Sequence, residues 1–139
     1  MSERVFERAN DQRGERQRVF SGSPFEAKVG YCRAVAVDDR IFVAGTAPTW
    51  PDGSVDPDPA VQARRCFEII GAALADLGSG LHDIVRTRIY VVDPADFPPI
   101  GAVHGELFAD VRPVNTSLVA AALLDPRWKV EIEVDAVRT

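Results

Sequence analysis

The sequence contains few of the residues from which disulfides and metal sites are built. Its 139 residues include two cysteines and two histidines. Cys32 and Cys66 lie far apart and show no spacing typical of a disulfide framework, so we expect free thiols in a reducing compartment. Because no Cys-x-x-Cys or His-x-x-x-His motif occurs, His82 and His104 offer little from which to build a metal site. We therefore predict that the protein binds no metal.

Long apolar runs and an excess of positive charge are also missing. No segment approaches the roughly 20 apolar residues that cross a bilayer as a helix, and the first residues lack the apolar core of a signal peptide. The 16 Lys and Arg are outnumbered by 21 Asp and Glu, which gives a formal net charge of -5. Such a chain has no basic field to attract a phosphate backbone. We expect a cytoplasmic protein with no membrane contact and no nucleic-acid partner.

What is present is the composition of an ordinary globular protein. Hydrophobic residues make up 46% and charged residues 27% of the chain, and this length predicts one domain. Residues 1–18 alternate charges of both signs with almost nothing apolar, so we expect a solvated extension, at best a frayed helix. An arginine arm for RNA is the alternative, which the nearly balancing acids disfavour. Residues 19–139 are expected to form the single domain.

The sequence patterns of this domain predict alternating strands and helices. Segments 31–37 and 40–45, separated by Asp38-Asp39, are typical of a β-hairpin. Asp58-Pro59 predicts the start of a helix whose apolar stripe ends at Gly78. The other predicted elements are a second helix that opens at Pro98-Pro99 and strands over residues 84–92, 116–123 and 129–138. This order predicts a two-layer α+β domain, with a mixed β-sheet and two helices on one face.

Two of the predicted strands each carry one charged face. Alternate side chains of a strand point to opposite faces of its sheet. The last strand therefore has three carboxylates on one face: Glu131, Glu133 and Asp135. The strand over 84–92 has two cations and a phenol on one face: Arg86, Arg88 and Tyr90. Either these groups form a cross-strand ladder of weak ion pairs, or another subunit covers them and they line a pocket for a charged small molecule.

Three further side chains stand out without an assigned role. Trp50 and Trp128 fall in predicted loops at either side of the sheet, where they could pack in an interface or stack on a planar ligand. His104 lies among apolar residues of the second helix. A lone histidine in that position is more often a hydrogen-bonding residue of a helix surface or interface than a catalyst.

Five short segments resemble one protein family in their order and spacing: Tyr31-x-x-Ala34-Val35, Ile41-Phe42-Val43-Ala44-Gly45, Asp83-Ile84-Val85-Arg86-Thr87-Arg88-Ile89-Tyr90-Val91, Asp96-Phe97 and Val130-Glu131-Ile132-Glu133. Over about 19–138 the sequence is similar to the Rid family of reactive intermediate deaminases, also called YjgF-like or L-PSP endoribonucleases. The resemblance implies a chorismate-mutase-like fold and a homotrimer with ligand clefts at the subunit interfaces. Members hydrolyse enamines and imines such as 2-aminoacrylate to 2-oxo acids and ammonia without a cofactor. The resemblance therefore also implies that no cofactor is used.

The resemblance implies a role for several residues one by one. Glu131 corresponds to the catalytic glutamate that positions water, and Tyr31 to the tyrosine of the cleft. Gly45 and the following Thr46 stand at a strand end beside the substrate. A hydrolase of this kind would use Glu131 to position water, while groups near Gly45 and Asn115 hold the developing anion.

One position departs from the family pattern. The arginine that grips the substrate carboxylate lies in a Pro-x-Arg-Ser/Thr motif, which reads Pro113-Val114-Asn115-Thr116 here. Asn115 therefore replaces the arginine, Gly101 replaces an asparagine of the second helix, and Ser117 keeps a hydroxyl two residues further on. An asparagine amide cannot supply the charged bidentate contact of an arginine. The sequence thus resembles divergent members, and deamination of 2-aminoacrylate is in doubt.

Two other arginines are candidates to bind the substrate instead. Arg88 lies on the charged face of the strand over 84–92, and Arg33 shares a face with Tyr31. Either could instead form an ion pair with Glu131 or Glu133. Three functions stay open: a cofactor-free hydrolase, a non-catalytic trimer that binds or senses small carboxylates and, disfavoured by the acidic balance, an endoribonuclease.

Overall fold

Seven strands form one mixed sheet in the described part of the chain. The computed structural model describes residues 7–11 and 16–139. The strands are β1 (Glu7–Asp11), β2 (Arg16–Phe20), β3 (Ala34–Val37), β4 (Arg40–Thr46), β5 (Ile84–Val91), β6 (Val114–Val119) and β7 (Val130–Val137). Their order across the sheet is β1-β2-β3-β4-β7-β5-β6. Neighbouring strands are antiparallel, except that β5 and β6 are parallel.

The long helices α2 (Pro59–Asp76) and α3 (Phe97–Phe108) cover one face of this sheet. A short helix, α1 (Pro24–Val29), follows β2. Oδ1 of Asp58 accepts hydrogen bonds from the N–H groups of Ala60 at 2.8 Å and Val61 at 3.2 Å, which is the predicted cap of α2. The long helix α2 contacts α3, β4 and β7. The predicted two-layer α+β architecture is confirmed.

The core lies between the two long helices and the sheet. Val130, Ile132 and Val134 of β7 are at most 1% exposed and belong to one cluster with Phe67 and Leu74 of α2. Burying a side chain of this size contributes about 1.5–3 kcal/mol. The side chains between them on β7 are only partly buried and face away from the helices, as the alternation predicted.

Two strands differ by several residues from their predicted bounds, and the short helix α1 was not predicted. The strand predicted over 31–37 begins at Ala34, and residues 31–33 lie in the segment between α1 and β3. The strand predicted over 116–123 runs from Val114 to Val119, because the chain leaves the sheet after Ala120 donates a last hydrogen bond to the Val91 carbonyl. The short helix α1 is too brief to show a periodic pattern. It is fixed instead by its ends, where the Ser23 hydroxyl caps the first turn and Gly30 adopts φ 88°.

The described part of the N-terminal segment forms two paired strands, where a solvated extension, at best a frayed helix, was predicted. β1 pairs with β2, and β2 continues the sheet with Val19 opposite Ala34 of β3. Val19 is fully buried when β2 pairs with β3. The charge pairs that would stabilise a helix contribute only about 0.2–0.5 kcal/mol each. The conformation of this segment is therefore determined by its pairing with the open edge of β3. The expected boundary at residues 18 and 19 falls inside β2, and the remainder of the predicted extension, 1–6 and 12–15, lies outside the described residues.

Candidate functional site

A cavity of about 680 Å³ opens where α1, β4 and β7 approach one another. Its wall also includes parts of the loop that follows β4 and of the loop that precedes β7. The structure brings together here four of the predicted site residues: Tyr31, Arg33, Gly45 and Glu131. The other four, which also belong to the described part of the chain, are not part of this wall: Thr46, Arg88, Asn115 and Ser117.

The Glu131 side chain lies against the backbone of β4. A Cβ added to Gly45 would collide with Oε2 of Glu131, so only glycine leaves room for the carboxylate. Within residues 7–11 and 16–139 no group donates a hydrogen bond to this carboxylate. A partly buried polar group without a partner in its own chain is a candidate for binding a ligand.

Arg33 holds a positive charge next to this carboxylate. Its Nη2 donates a hydrogen bond of 2.6 Å to the carbonyl oxygen of Gly45. Its Nε is buried and has no hydrogen-bond partner among the described residues. Burial lowers the pKa of the Arg33 guanidinium, while the negative charges of Glu26 and Glu131 act in the opposite direction. An arginine stays protonated under these conditions, so the cavity contains a fixed cation.

The pKa of Glu131 is raised above its ordinary value. The largest cause is burial, which disfavours the charged form, and the negative charge of Glu133 adds to it. The positive charge of Arg33 opposes the shift without cancelling it. A carboxyl group with a raised pKa can both accept and return a proton closer to neutral pH.

Arg88 belongs to a cross-strand ladder on β5 and β7. Its Nη1 lies 3.3 Å from Oε2 of Glu133 and 3.8 Å from Oδ2 of Asp135. Arg86 Nε lies 3.6 Å from the same oxygen of Asp135. Tyr90 donates a hydrogen bond to Glu133, which raises the pKa of the phenol. Partly exposed pairs of this kind contribute about 1 kcal/mol or less. Of the two candidate arginines, the single chain therefore brings Arg33, and not Arg88, into the cavity wall.

Asn115 lies on the opposite face of the sheet from Glu131. In the parallel pair β5 and β6, Asn115 is level with the buried Thr87, and its Nδ2 donates a 3.0 Å hydrogen bond to Thr87 Oγ1. Ser117 Oγ donates to Asn115 Oδ1 at 3.0 Å, and Thr87 Oγ1 is 2.8 Å from His104 Nε2. The expectation that Asn115 and Glu131 share one pocket is therefore not met within a single chain.

The side chain of Thr46 faces the core. Thr46 is fully buried, and its Oγ1 donates to the carbonyl of Ala44 at 2.8 Å. The cause is an irregularity of β4 between Val43 and Thr46, which shifts the register against β7 and sets Thr46 opposite the buried Ile132. The Thr46 side chain therefore does not line the cavity, and only its place next to Gly45 in the chain agrees with the predicted substrate contact.

Glu26 is a second carboxylate of the wall that the sequence did not indicate. It is 6% exposed and accepts hydrogen bonds from the N–H of Ser21 at 3.1 Å and from its hydroxyl at 2.5 Å. The only signal for it is the serine-rich turn that caps α1. Its negative charge acts on Arg33 together with that of Glu131.

Both tryptophans lie in the same cavity wall. The guanidinium carbon of Arg65 is 4.2 Å from the centre of the Trp50 ring, and Arg65 Nε donates to the Thr49 carbonyl at 2.9 Å. Nε1 of Trp128 is buried without a hydrogen-bond partner in the described part of the chain. The loop after β4, which carries Trp50, and the loop before β7, which carries Trp128, thus meet at one site.

Neither a metal cluster nor a membrane span is found in the part of the chain that the structure describes. There, no three His, Cys, Asp or Glu side chains are arranged to hold a metal ion, and no helix has the length and apolarity to cross a bilayer. Cys32 and Cys66 are free thiols. Burial raises the pKa of Cys66, whose Sγ donates to the Thr46 carbonyl at 3.3 Å. This thiol stays protonated and unreactive.

Comparison with known proteins identifies the family of the chain. The sequence model of the family described as Endoribonuclease L-PSP matches residues 22–138. The chain belongs to this family. It is the Rid or YjgF family that the sequence resembles, and the divergence inferred from Asn115 stays a prediction.

Known relatives of this Rid-family chain include a named deaminase. The Streptomyces coelicolor protein SCO2049 is 41% identical over 88% of this chain and 92% of its own length. The 2-iminobutanoate/2-iminopropanoate deaminase of Escherichia coli K12 is 32% identical over 78% of this chain and 87% of its own. The crystal structure of Rv2704 from Mycobacterium tuberculosis, a member of the YjgF/YER057c/UK114 family, matches with a TM-score of 0.82 at 41% identity, over 88% of this chain and 99% of that one. The predicted chorismate-mutase-like fold is confirmed.

Proposed function

We propose that this Rid-family chain is a cofactor-free hydrolase that converts small 2-imino or enamine carboxylates to 2-oxo acids and ammonia. The observation that carries the proposal is the environment of the Glu131 carboxylate. This partly buried carboxylate has a raised pKa, lies against Gly45 and has no hydrogen-bond donor within the described chain. The name of a 32% identical relative, an imine deaminase, fits the same chemistry.

In the proposed reaction Glu131 moves two protons from oxygen to nitrogen. The carboxylate takes a proton from water as the water oxygen bonds to the imine carbon, and it returns this proton to the nitrogen. It then takes the hydroxyl proton of the resulting amino alcohol and passes it to the amino group. The C–N bond breaks, ammonia leaves and the C=O bond of the oxo acid forms. An enamine enters after tautomerising to the imine.

We propose Arg33 as the residue that binds the substrate carboxylate in place of the missing arginine. Its Nε is a buried donor with no partner among the described residues, and a charged hydrogen bond that it donates to a carboxylate oxygen of a ligand would satisfy it. Arg88 is already engaged by Glu133 and Asp135. The positive charge for the substrate would then come from the segment that leads into β3.

We further propose that the cleft is completed in a homotrimer. Exposed apolar side chains flank the charged ladder: Phe42 is 43%, Val114 56% and Leu118 43% exposed. The strand β6 is an edge of the sheet, and an apolar edge is a surface that a second chain can cover. Asn115 and Ser117 lie on this edge, so contact with a neighbouring copy is the way in which they would reach a cavity that contains Glu131.

The trimer is tested by the mass of the full chain in solution. Sedimentation equilibrium should give three times the chain mass of 15.2 kDa. Leu118→Asp, which puts a charge on the apolar edge, should lower this mass. Ala102→Asp on the exposed side of α3 is the matched control and should leave it unchanged. A monomer for the unsubstituted chain contradicts the proposal.

A non-catalytic trimer that binds small carboxylates is the second candidate. It is favoured by Asn115, which cannot replace the charge of an arginine and whose amide is engaged by Thr87 and Ser117. An endoribonuclease, which the family name suggests, is disfavoured by the net charge of -5 and by the carboxylates of Glu26 and Glu131 in the wall.

Competition for an unstable imine separates the first two candidates. An amino-acid oxidase with catalase generates 2-iminopropanoate from alanine in the presence of semicarbazide, which traps the imine. A hydrolase lowers the trapped fraction in proportion to the protein added. A trapped fraction that does not change contradicts hydrolysis, and saturable binding of pyruvate in calorimetry would then support the non-catalytic trimer.

A further inference from the structure

The cavity wall around Glu131 includes the aromatic side chains of Phe25, Tyr31, Trp50 and Trp128. Both tryptophans of the chain and one of its two tyrosines are thus concentrated at one site. Phe25 is 62% and Tyr31 42% exposed, so these rings present apolar surface to whatever enters. Aromatic surface in a concave site favours an apolar or aromatic ligand.

Trp50 is held in place by buried groups behind it. The guanidinium of Arg65, 3% exposed, stacks on the indole at 4.2 Å, and Arg65 is itself fixed by its hydrogen bond to the Thr49 carbonyl. The backbone N–H of Trp50 donates to the Ser54 carbonyl at 3.0 Å, which closes the loop on itself. A ring fixed in advance loses little conformational entropy when a ligand stacks on it.

Trp128 brings an unsatisfied donor to the same wall. Its Nε1 is buried and lacks a hydrogen-bond partner among the described residues, as does Nε of Arg33. Leaving a buried donor unpaired costs about 1–3 kcal/mol. A ligand with oxygen acceptors in the cavity would recover this free energy. The wall therefore suits a molecule that joins a carboxylate to a large apolar group.

The size of the cavity agrees with such a ligand. Its volume of about 680 Å³ lies in the range of roughly 300–1,000 Å³ that is typical of sites for drug-sized molecules. A three-carbon imine held at Arg33 and Glu131 has no large apolar group to place against the indole rings of Trp50 and Trp128. We propose that the substrates are 2-imino acids with an aromatic side chain, with the ring against Trp50 and Trp128 and the carboxylate at Arg33. This specificity rests on the proposed hydrolase function.

The test compares two imines in one assay. An amino-acid oxidase generates the imine of phenylalanine or that of alanine, and semicarbazide trapping gives the specificity constant for each. We expect a preference for the phenylalanine imine of at least about 10-fold, because even one methylene in an apolar pocket changes this ratio by roughly 10–200-fold. Trp50→Leu and Trp128→Phe should each lower the preference. Val137→Ala, at the far end of β7, is the matched control and should not change it.

Two results separate this inference from the function on which it rests. If both imines are hydrolysed equally well and neither tryptophan variant changes the ratio, the inference is overturned while the hydrolase stands. If neither imine is hydrolysed, the hydrolase is overturned, and the preference is decided by binding of the stable oxo acids. Phenylpyruvate should then bind at least about 10-fold more tightly than pyruvate, and equal affinities would overturn the aromatic specificity as well.

Discussion

Glu131 packs against Gly45 with no space for a Cβ between them. The carbonyl of the same glycine accepts the hydrogen bond that holds Arg33. One residue of β4 therefore positions both the carboxylate and the cation of the cavity. Any side chain at position 45 should disturb the two groups together.

Gly45→Ala is expected to abolish most of the imine hydrolysis. The added methyl group displaces Oε2 of Glu131, and a displacement of about 1 Å in a catalytic group can cost on the order of 100-fold in rate. The measurement is the specificity constant in the trapping assay. Gly105→Ala is the matched control, because a Cβ there meets nothing within 4 Å in α3. It should keep full activity and gain about 0.4–1 kcal/mol of stability. Equal losses in the two variants would contradict the role of Gly45.

The pKa of Glu131 predicts how stability depends on pH. Because burial raises this pKa above 4.5, folding favours the neutral carboxyl group. Its contribution to stability is complete below the unfolded-state pKa and is lost as the pH rises through the folded-state pKa. Glu131→Gln removes the titration. The free energy of unfolding of this variant relative to the natural chain should therefore rise as the pH increases from below 4.5 through the raised folded-state pKa of Glu131. Urea unfolding at several pH values measures the difference, and a flat or falling profile contradicts the raised pKa.

The two candidate arginines are expected to behave differently. Arg33→Gln removes the cation of the cavity and should weaken the binding of a 2-oxo acid by roughly 10–100-fold, because a hydrogen bond to a charged group contributes about 1.5–3 kcal/mol. Arg88→Gln removes partly exposed ion pairs and should change the affinity by less than about 5-fold. Calorimetric titration with each variant gives both values. A larger effect at Arg88 would show that the assembled protein brings that residue to the ligand.

Thr87 links Asn115 to His104 beneath α3. Thr87→Val keeps the shape of the buried side chain but leaves these two neighbours without their common partner. We expect a loss of about 1–3 kcal/mol in the free energy of unfolding. Thr116→Val, at an exposed position of the same strand as Asn115, is the control and should stay within about 0.5 kcal/mol. Similar values for the two variants would show that the hydrogen bonds contribute nothing.

The burial of side chains in central strands and long helices was predictable from the hydrophobic period of the sequence. Val130 to Val137 alternates buried and partly exposed side chains as its sequence indicates, because both neighbours of β7 are in place and one face is covered by helices. The cap at Asp58 followed from local chemistry alone. Arg33 was identified as a candidate because strand parity was expected to give it the same face as Tyr31. Both residues do lie in the cavity wall, but they belong to the segment before β3, which begins at Ala34, so strand parity is not the reason.

The face on which a side chain lies was not predictable where pairing between strands distant in sequence determines it. Thr46 turns into the core because β4 is irregular against β7, and the sequence has no signal for that irregularity. Asn115 faces the helices because β6 runs parallel to β5 with Asn115 level with Thr87. The family motif identifies the type of residue at position 115, but it does not show on which face of the sheet the side chain lies within one chain. Glu26 was missed because α1 spans only six residues and shows no periodic pattern.

The most direct test of the proposed function is the rate of imine hydrolysis in Glu131→Gln. The amide has the shape of the carboxylate but cannot move protons between water and nitrogen, so the rate should fall by roughly 100–10,000-fold. Glu106→Gln, which removes an exposed carboxylate of α3, is the control and should keep the full rate. If Glu131→Gln hydrolyses the imine as fast as the natural chain, Glu131 is not the proton-transferring group of this cavity.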